Sequence, residues 1–210
     1  ETRELQYSGT LTQVSRRGDS PAPVKQFDLY AILRSVDSGQ ECFHVITERG
    51  GGGWAWPERF GLAEINGKHQ RTGGRPPHVL HLHDGVKYPV ETPLPLFEFA
   101  DRLAADASWT SGRLEYVVKR STEIAGKTCW QVEATDNFGR RQSFFVEQNG
   151  SLLVAAERRV FMGQGDEFML RVSLSGSRAL EAAEAAKTQA AIGSLQTLQT
   201  GLERSEGTTK

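Results

Sequence analysis

The stretch from residue 113 to 175 constrains the fold more than any other part of the chain. Apolar residues recur there at every second position, and turn signals interrupt them at the spacing of an antiparallel meander. Leu114, Tyr116 and Val118 alternate with mostly polar residues, and Ala125-Gly126-Lys127 turns the chain. Trp130, Val132 and Ala134 share the next face, followed by the turn Asp136-Asn137-Phe138-Gly139. Gln142, Phe144 and Val146 then oppose Ser143, Phe145 and Glu147. Asn149-Gly150 follows, a pair that tolerates the positive φ of a tight hairpin turn. Leu152, Val154 and Ala156 alternate next, and after Gly163-Gln164-Gly165-Asp166 so do Phe168, Leu170, Val172 and Leu174. A helix cannot keep a period of two on one face, so the region reads as five sequential strands with one apolar and one largely polar face.

The N-terminal part follows the same style less regularly. Leu5, Tyr7, Gly9 and Leu11 mark a first strand, Phe27, Leu29, Ala31 and Leu33 a second, and Cys42, His44 and Ile46 a third. Residues 49 to 76 contain the run Gly50 to Gly53 and then Trp54-Ala55-Trp56-Pro57, and they read as a long loop with one short strand near 62 to 66. Residues 78 to 83 form another expected strand before the Asp84-Gly85 turn. Thr92-Pro93 has the form of an N-cap with proline at the first helical position. Leu96, Ala100, Leu103 and Ala104 then share a face, which predicts an amphipathic helix over 93–106 crossing the sheet.

From Ser177 onward the chain becomes rich in Ala, Glu, Leu and Gln. Leu180, Ala183, Ala191, Leu195, Leu198 and Leu202 fall at helical spacing with Lys187 interrupting the stripe, which predicts a helix from 177 to about 203. The expected architecture is mainly β (α+β): an antiparallel β domain over 1–176 containing the 93–106 helix, and a C-terminal helix and tail over 177–210. The tail helix is expected to dock on the sheet, with a linker or oligomerisation role as the alternative.

Charge and cysteine usage narrow the function classes. The formal net charge of the 210 residues is -1, without a large block of one sign, so no nucleic-acid partner is expected. No apolar run approaches the roughly eighteen residues of a membrane-spanning helix. The chain begins at Glu1 and not at Met, which is read as processing or trimming, a removed signal sequence being one explanation. Cys42 and Cys129 lie 87 positions apart without a C-x-x-C pattern, and two buried thiols are expected over a disulfide.

No enzyme motif emerges. A G-x-S-x-G elbow is absent, and the glycine run ends in Trp-Ala-Trp-Pro where a phosphate loop would need Gly-Lys-Ser/Thr. Glu133, Glu147 and Glu157 share a polar face, as solvation alone would arrange them. His81 and His83 share a strand face with Val79, opposite Leu80 and Leu82. The expectation is a polar row over a buried leucine row; a metal at His81 and His83 would need a third ligand from a neighbour. No cofactor is expected.

Tyr7-Ser8-Gly9-Thr10-Leu11-Thr12-Gln13, the Asp84-Gly85 turn, a single crossing helix and the meander around Trp130-Gln131-Val132 form a combination that resembles the LolA-like superfamily of envelope proteins. That group includes lipoprotein carriers, mycobacterial lipid-binding lipoproteins and the N-terminal domain of RseB-type envelope-stress regulators. The resemblance covers residues 4 to 175. It implies a strongly curved antiparallel sheet whose concave face is closed by helices and accepts acyl chains. It also implies a periplasmic or cell-envelope location. The chain departs from the carriers in opening on a strand and in its Gly50–Pro57 segment, and no individual functional residue is carried over.

The leading expectation is therefore a non-catalytic extracytoplasmic binding domain for a lipid, an acyl chain or a lipoprotein on the concave sheet face. Its expected lining is Trp54, Trp56, Phe60, Trp130 and Phe144. Its expected partners are an apolar ligand or an envelope protein, with a membrane-associated partner among them. The alternatives are a protein-interaction or regulatory module of a larger envelope protein, and a metal-dependent enzyme.

Overall fold

The computed structural model describes residues 1–14, 23–36, 39–48, 58–65, 68–72, 78–187 and 190. Alternation becomes strand wherever the sequence shows it. β1 (Thr2–Gln13) buries Leu5, Tyr7, Gly9 and Leu11, and β2 (Pro23–Val36) buries Phe27, Leu29, Ala31 and Leu33. β3 (Gly39–Glu48), β4 (Glu58–Ile65) and β5 (Lys68–Thr72) continue the N-terminal meander. A separate hairpin of β6 (His78–His83) and β7 (Val86–Glu91) follows. The C-terminal meander consists of β8 (Ser108–Ser111), β9 (Leu114–Ile124), β10 (Lys127–Asp136), β11 (Arg141–Glu147), β12 (Leu153–Met162) and β13 (Asp166–Ala179). The last five match the five strands read from alternation.

The strand order β5-β4-β3-β2-β1-β13-β12-β11-β10-β9-β8 makes one antiparallel sheet from two meanders. They join where the first strand pairs with the last: Tyr7 lies opposite Leu174, Gly9 opposite Val172, and Leu11 opposite Leu170. The order ends at β5 and β8, so the sheet is open.

Contacts between distant strands show how far the sheet rolls. β3 and β12 are separated by three intervening strands, which on a flat sheet at about 4.8 Å per strand puts them roughly 19 Å apart. Yet Ser151 Oγ, just before β12, donates a hydrogen bond to Gln40 Oε1 of β3. The Tyr7 hydroxyl of β1 likewise donates to the Leu153 carbonyl at 2.6 Å. Gly9 leaves room for Phe27: the outer end of the ring lies over it, where a Cβ would stand 2.1 Å from the nearest ring carbon.

Two apolar clusters result, and β10–β12 run between them. Phe144, Val146, Val132 and Leu153 belong to one; Phe145, Cys129 and Val154 to the other. This corrects the expectation of one solvated face throughout the meander. It holds along β13, but residues 151–156 are all buried, because the curl and an added segment cover both sides of the start of β12.

Four further expectations are corrected. Residues 93–106 are not an amphipathic helix; the chain forms only a 3-10 turn, Ala100–Arg102. Pro95 disfavours helical backbone at Leu94, and residues 95–97 instead pair with 151–153. The Leu153 amide donates to the Pro95 carbonyl at 2.8 Å and the Phe97 amide to the Ser151 carbonyl at 2.7 Å. The long helix from 177 is not formed as expected either. Ser177, Arg178 and Ala179 stay in β13 opposite Leu5, Glu4 and Arg3, where the β1 backbone offers a ladder of hydrogen bonds. Helical backbone appears at 182–187 and 190; the remainder of the expected span lies outside the described residues.

The third correction concerns the hairpin. Its leucine row is exposed, Leu80 at 38% and Leu82 at 63%, while Val79 and Val90 are buried. Lys87 stands opposite Leu82, so burying the leucine face would bury an ammonium as well. The long segment 49–76 contains a paired hairpin, β4 with β5, in place of one short strand; 49–57, 66–67 and 73–77 lie outside the described residues. Cys42 and Cys129 are buried and not joined by a disulfide.

Candidate functional site

The segment from Thr92 to Phe99 builds the candidate site. Held extended by its bridge to 151–153, it sends alternate side chains to opposite clusters: Leu94 and Leu96 to one, Phe97 and Phe99 to the other. Phe97 and Phe99 then meet aromatic residues that strand alternation presents from β8, β9 and β11. Phe97 lies 5.4 Å from Phe144, and Phe99 lies 5.0 Å from Tyr116, measured between ring centroids. Trp109 stacks on Tyr116 at 5.2 Å with nearly parallel planes, and the Arg102 guanidinium sits 5.4 Å from the Phe99 ring centre.

Between the segment and the sheet runs an open groove of about 140 Å³ lined by Leu94, Phe97, Phe99, Tyr116, Phe144 and Leu153, among others. A smaller cavity of about 50 Å³ adjoins it, sharing Pro93 and Phe144 and adding Thr92, Gln142 and Arg158. The groove is apolar with a polar end. Burial and the nearby Glu98 carboxylate push the Tyr116 phenol up to about 12, so it stays neutral at any ordinary pH. Burial lowers the Arg158 guanidinium, with the Glu91 carboxylate opposing the shift, and Arg158 donates to the Glu91 carbonyl. The Trp109 indole N–H, on the ring stacked against Tyr116, is buried without a hydrogen-bond partner among the described residues.

The structure places the residues singled out in the sequence as follows. Phe144 lines both the groove and the smaller cavity. Trp130 is half-buried and packs against the same cluster without lining the groove. Phe60 lies in β4 opposite Cys42 by its backbone, while its side chain, like Trp54 and Trp56, lies outside the described residues. Phe97, Phe99 and Tyr116 were not singled out. The available signal was the proline pair at 93 and 95, which should have excluded a helix and left Phe97 and Phe99 on one face of an extended chain.

Glu133, Glu147 and Glu157 each pair with a cation: Lys119 at 3.3 Å, Lys127 at 2.7 Å and Arg171 at 2.9 Å. His81 and His83 share a face, their rings 6.2 Å apart and both against Phe168. The ligand-capable neighbours of His83 are carboxylates: its Nε2 lies 2.9 Å from Asp166 Oδ2.

No protein-family model matches the chain, and a comparison with curated proteins gives no match. Solved structures do show likeness. A β-barrel-like protein of domain of unknown function DUF1849 from Brucella abortus is 11% identical with a TM-score of 0.41, over 86% of this chain and 98% of that one. A DUF1329 family protein from Desulfovibrio piger is 12% identical with a TM-score of 0.23, over 87% and 88%. A domain from Vibrio parahaemolyticus, described as that of an outer membrane lipoprotein-sorting protein, is 10% identical with a TM-score of 0.28, over 89% and 90%. These scores mark a weak resemblance, and the functional reading rests on the chain's own residues.

Proposed function

We propose that the chain is a non-catalytic binding domain of the cell envelope that takes the end of an acyl chain in the groove beneath residues 92–99. The observation that carries this reading is the convergence of Phe97, Phe99, Tyr116, Phe144 and Leu153 on one open groove. The volume sets the kind of ligand. About 140 Å³ falls short of the roughly 300 Å³ at which pockets begin to enclose a whole small molecule. The groove therefore suits one end of an apolar chain, with the rest lying over neighbouring surface. Arg158 at the adjoining cavity offers a cation to an anionic group.

Affinity from the groove alone is small. Each methylene removed from water contributes about 0.8 kcal/mol, and association itself costs several kcal/mol. A weak, exchangeable complex is expected, as a carrier or sensor would need. The periplasmic location belongs to the same proposal and follows from the resemblance of the strand pattern to envelope proteins.

Titration with a fluorescent fatty acid, alongside native mass spectrometry of the purified protein, tests the reading. Saturable binding that Phe144→Trp abolishes by filling both cavities supports it. Bare protein in the spectrometer and a linear, non-saturating titration would overturn it.

A further inference from the structure

We propose that His83, Asp84 and Asp166 form a binding site for a divalent transition-metal ion, with Zn²⁺ the best fit, which clips the tip of the β6–β7 hairpin to the β12–β13 turn. His83 Nε2 lies 2.9 Å from Asp166 Oδ2 and 3.6 Å from Asp84 Oδ2. One ligand atom from each of the three residues falls within 4.8 Å of the other two. Zinc bonds to imidazole nitrogen and carboxylate oxygen run about 2.0–2.2 Å, so ligands of one ion stand roughly 3.0 Å apart at right angles and roughly 3.4 Å apart at tetrahedral angles. The two separations from His83 Nε2 bracket these edges, and the Asp84 and Asp166 carboxylates lie within 4.8 Å of each other.

The surroundings hold the ligands and leave room between them. The Asp84-Gly85 turn has positive φ at both residues, 50° and 76°, which sets the Asp84 carboxylate beside the strand end that carries His83. The His83 ring is only 13% exposed and packs edge-on against Phe168 at 5.0 Å. Gly163 faces the cluster from the β12–β13 turn. A Cβ there would stand 3.0 Å from Asp84 Oδ2 and 3.2 Å from His83 Nε2, occupying the space an ion needs.

The donor set also points to a cation. Asp166 Oδ2 lies at hydrogen-bond distance from Nε2, while Asp84 Oδ2, at 3.6 Å, makes no hydrogen bond to it and stands beside it as a further oxygen donor. One imidazole and two carboxylates suit a borderline ion such as Zn²⁺ better than a soft ion wanting thiolates or a hard one wanting only oxygen. His81 is outside the set. Its ring stacks beside that of His83, so the site differs from a His81–His83 chelate. Val79 and Val90 pack the hairpin into the core, and the ion would fasten its free end.

The test uses the untagged 210-residue chain, stripped with chelator and titrated with Zn²⁺ by calorimetry, with Co²⁺ absorption as a direct readout of coordination. One equivalent should bind and raise the melting temperature. His83→Ala and Asp166→Asn should each weaken binding by about ten-fold or more, the scale on which perturbing a metal shell acts. His81→Ala should leave it unchanged. Asp84→Asn, at a side chain 66% exposed, serves as a second variant that keeps its fold if Asp166→Asn does not. Absence of stoichiometric uptake, or uptake that survives His83→Ala, or its loss in His81→Ala, would overturn the site.

Discussion

Replacing Gly9 by alanine is expected to damage the fold far more than one methyl group suggests. The new Cβ would meet Cζ and two Cε atoms of Phe27 at 2.1, 2.2 and 2.6 Å. Carbon atoms pack at about 3.5–4.0 Å, so the ring must retreat by more than about 1 Å or leave its rotamer. It has nowhere to go, since Phe27 is fully buried within the cluster that includes Leu5, Tyr7, Leu11 and Phe168. Overpacking of this kind costs about 1–3 kcal/mol, and the depth of the clash argues for the upper end. For a chain of this length, about 3 kcal/mol lowers the melting temperature by roughly 6–12 °C. Gly176, in β13 opposite Gln6, is the control. A Cβ there would meet only the Gln6 side chain, at 3.8 Å, an ordinary contact, so Gly176→Ala should be neutral or slightly stabilising. Urea unfolding followed by tryptophan fluorescence measures both variants, and Phe27→Leu in the Gly9→Ala background should recover part of the loss. A Gly9→Ala protein within about 0.5 kcal/mol of the parent, or one no better with Phe27→Leu, would refute the packing argument.

Other outcomes follow from the same structure. Tyr7→Phe removes the donor that ties β1 to the Leu153 carbonyl and should cost about 1–3 kcal/mol, read as a lower urea midpoint at unchanged slope. Burial raises the Tyr116 phenol from its ordinary 10.0 to about 12 and the Tyr7 phenol also well above 10.0. Both states hold these protons below pH 10; above it the unfolded chain loses them first, so stability should fall as pH rises from about 10 toward 12. Tyr116→Phe should flatten that fall in alkaline melting curves. In the hairpin, Leu82→Ser should change stability by less than about 0.5 kcal/mol, whereas Val79→Ala should cost about 2 kcal/mol, since only Val79 is buried.

The strands were legible because alternation is a local signal. Every side chain that alternation assigned to a buried face of β1 and β2 is buried, and β9 to β13 follow the turn chemistry between them. The candidate site was legible only at Phe144. Phe97 and Phe99 were concealed because Leu96, Ala100, Leu103 and Ala104 fit a helical period, and that period ignored the two prolines. The buried face of the hairpin was misjudged for a different reason: β6 alone favours its leucine face, but β7 sets Val86, Tyr88 and Val90 on the face of Val79 and Lys87, Pro89 and Glu91 on that of the leucines.

By itself the sequence determined period, turns and antiparallel succession, because those depend on a residue and its near neighbours. Tertiary structure alone decided that β1 pairs with β13, that residues 95–97 spend their backbone hydrogen bonds on 151–153, and that His83 meets Asp166. Each of these joins residues far apart in sequence. Their stabilisation appears only once the sheet has rolled far enough to bring distant strands into contact, and no window along the chain contains that information.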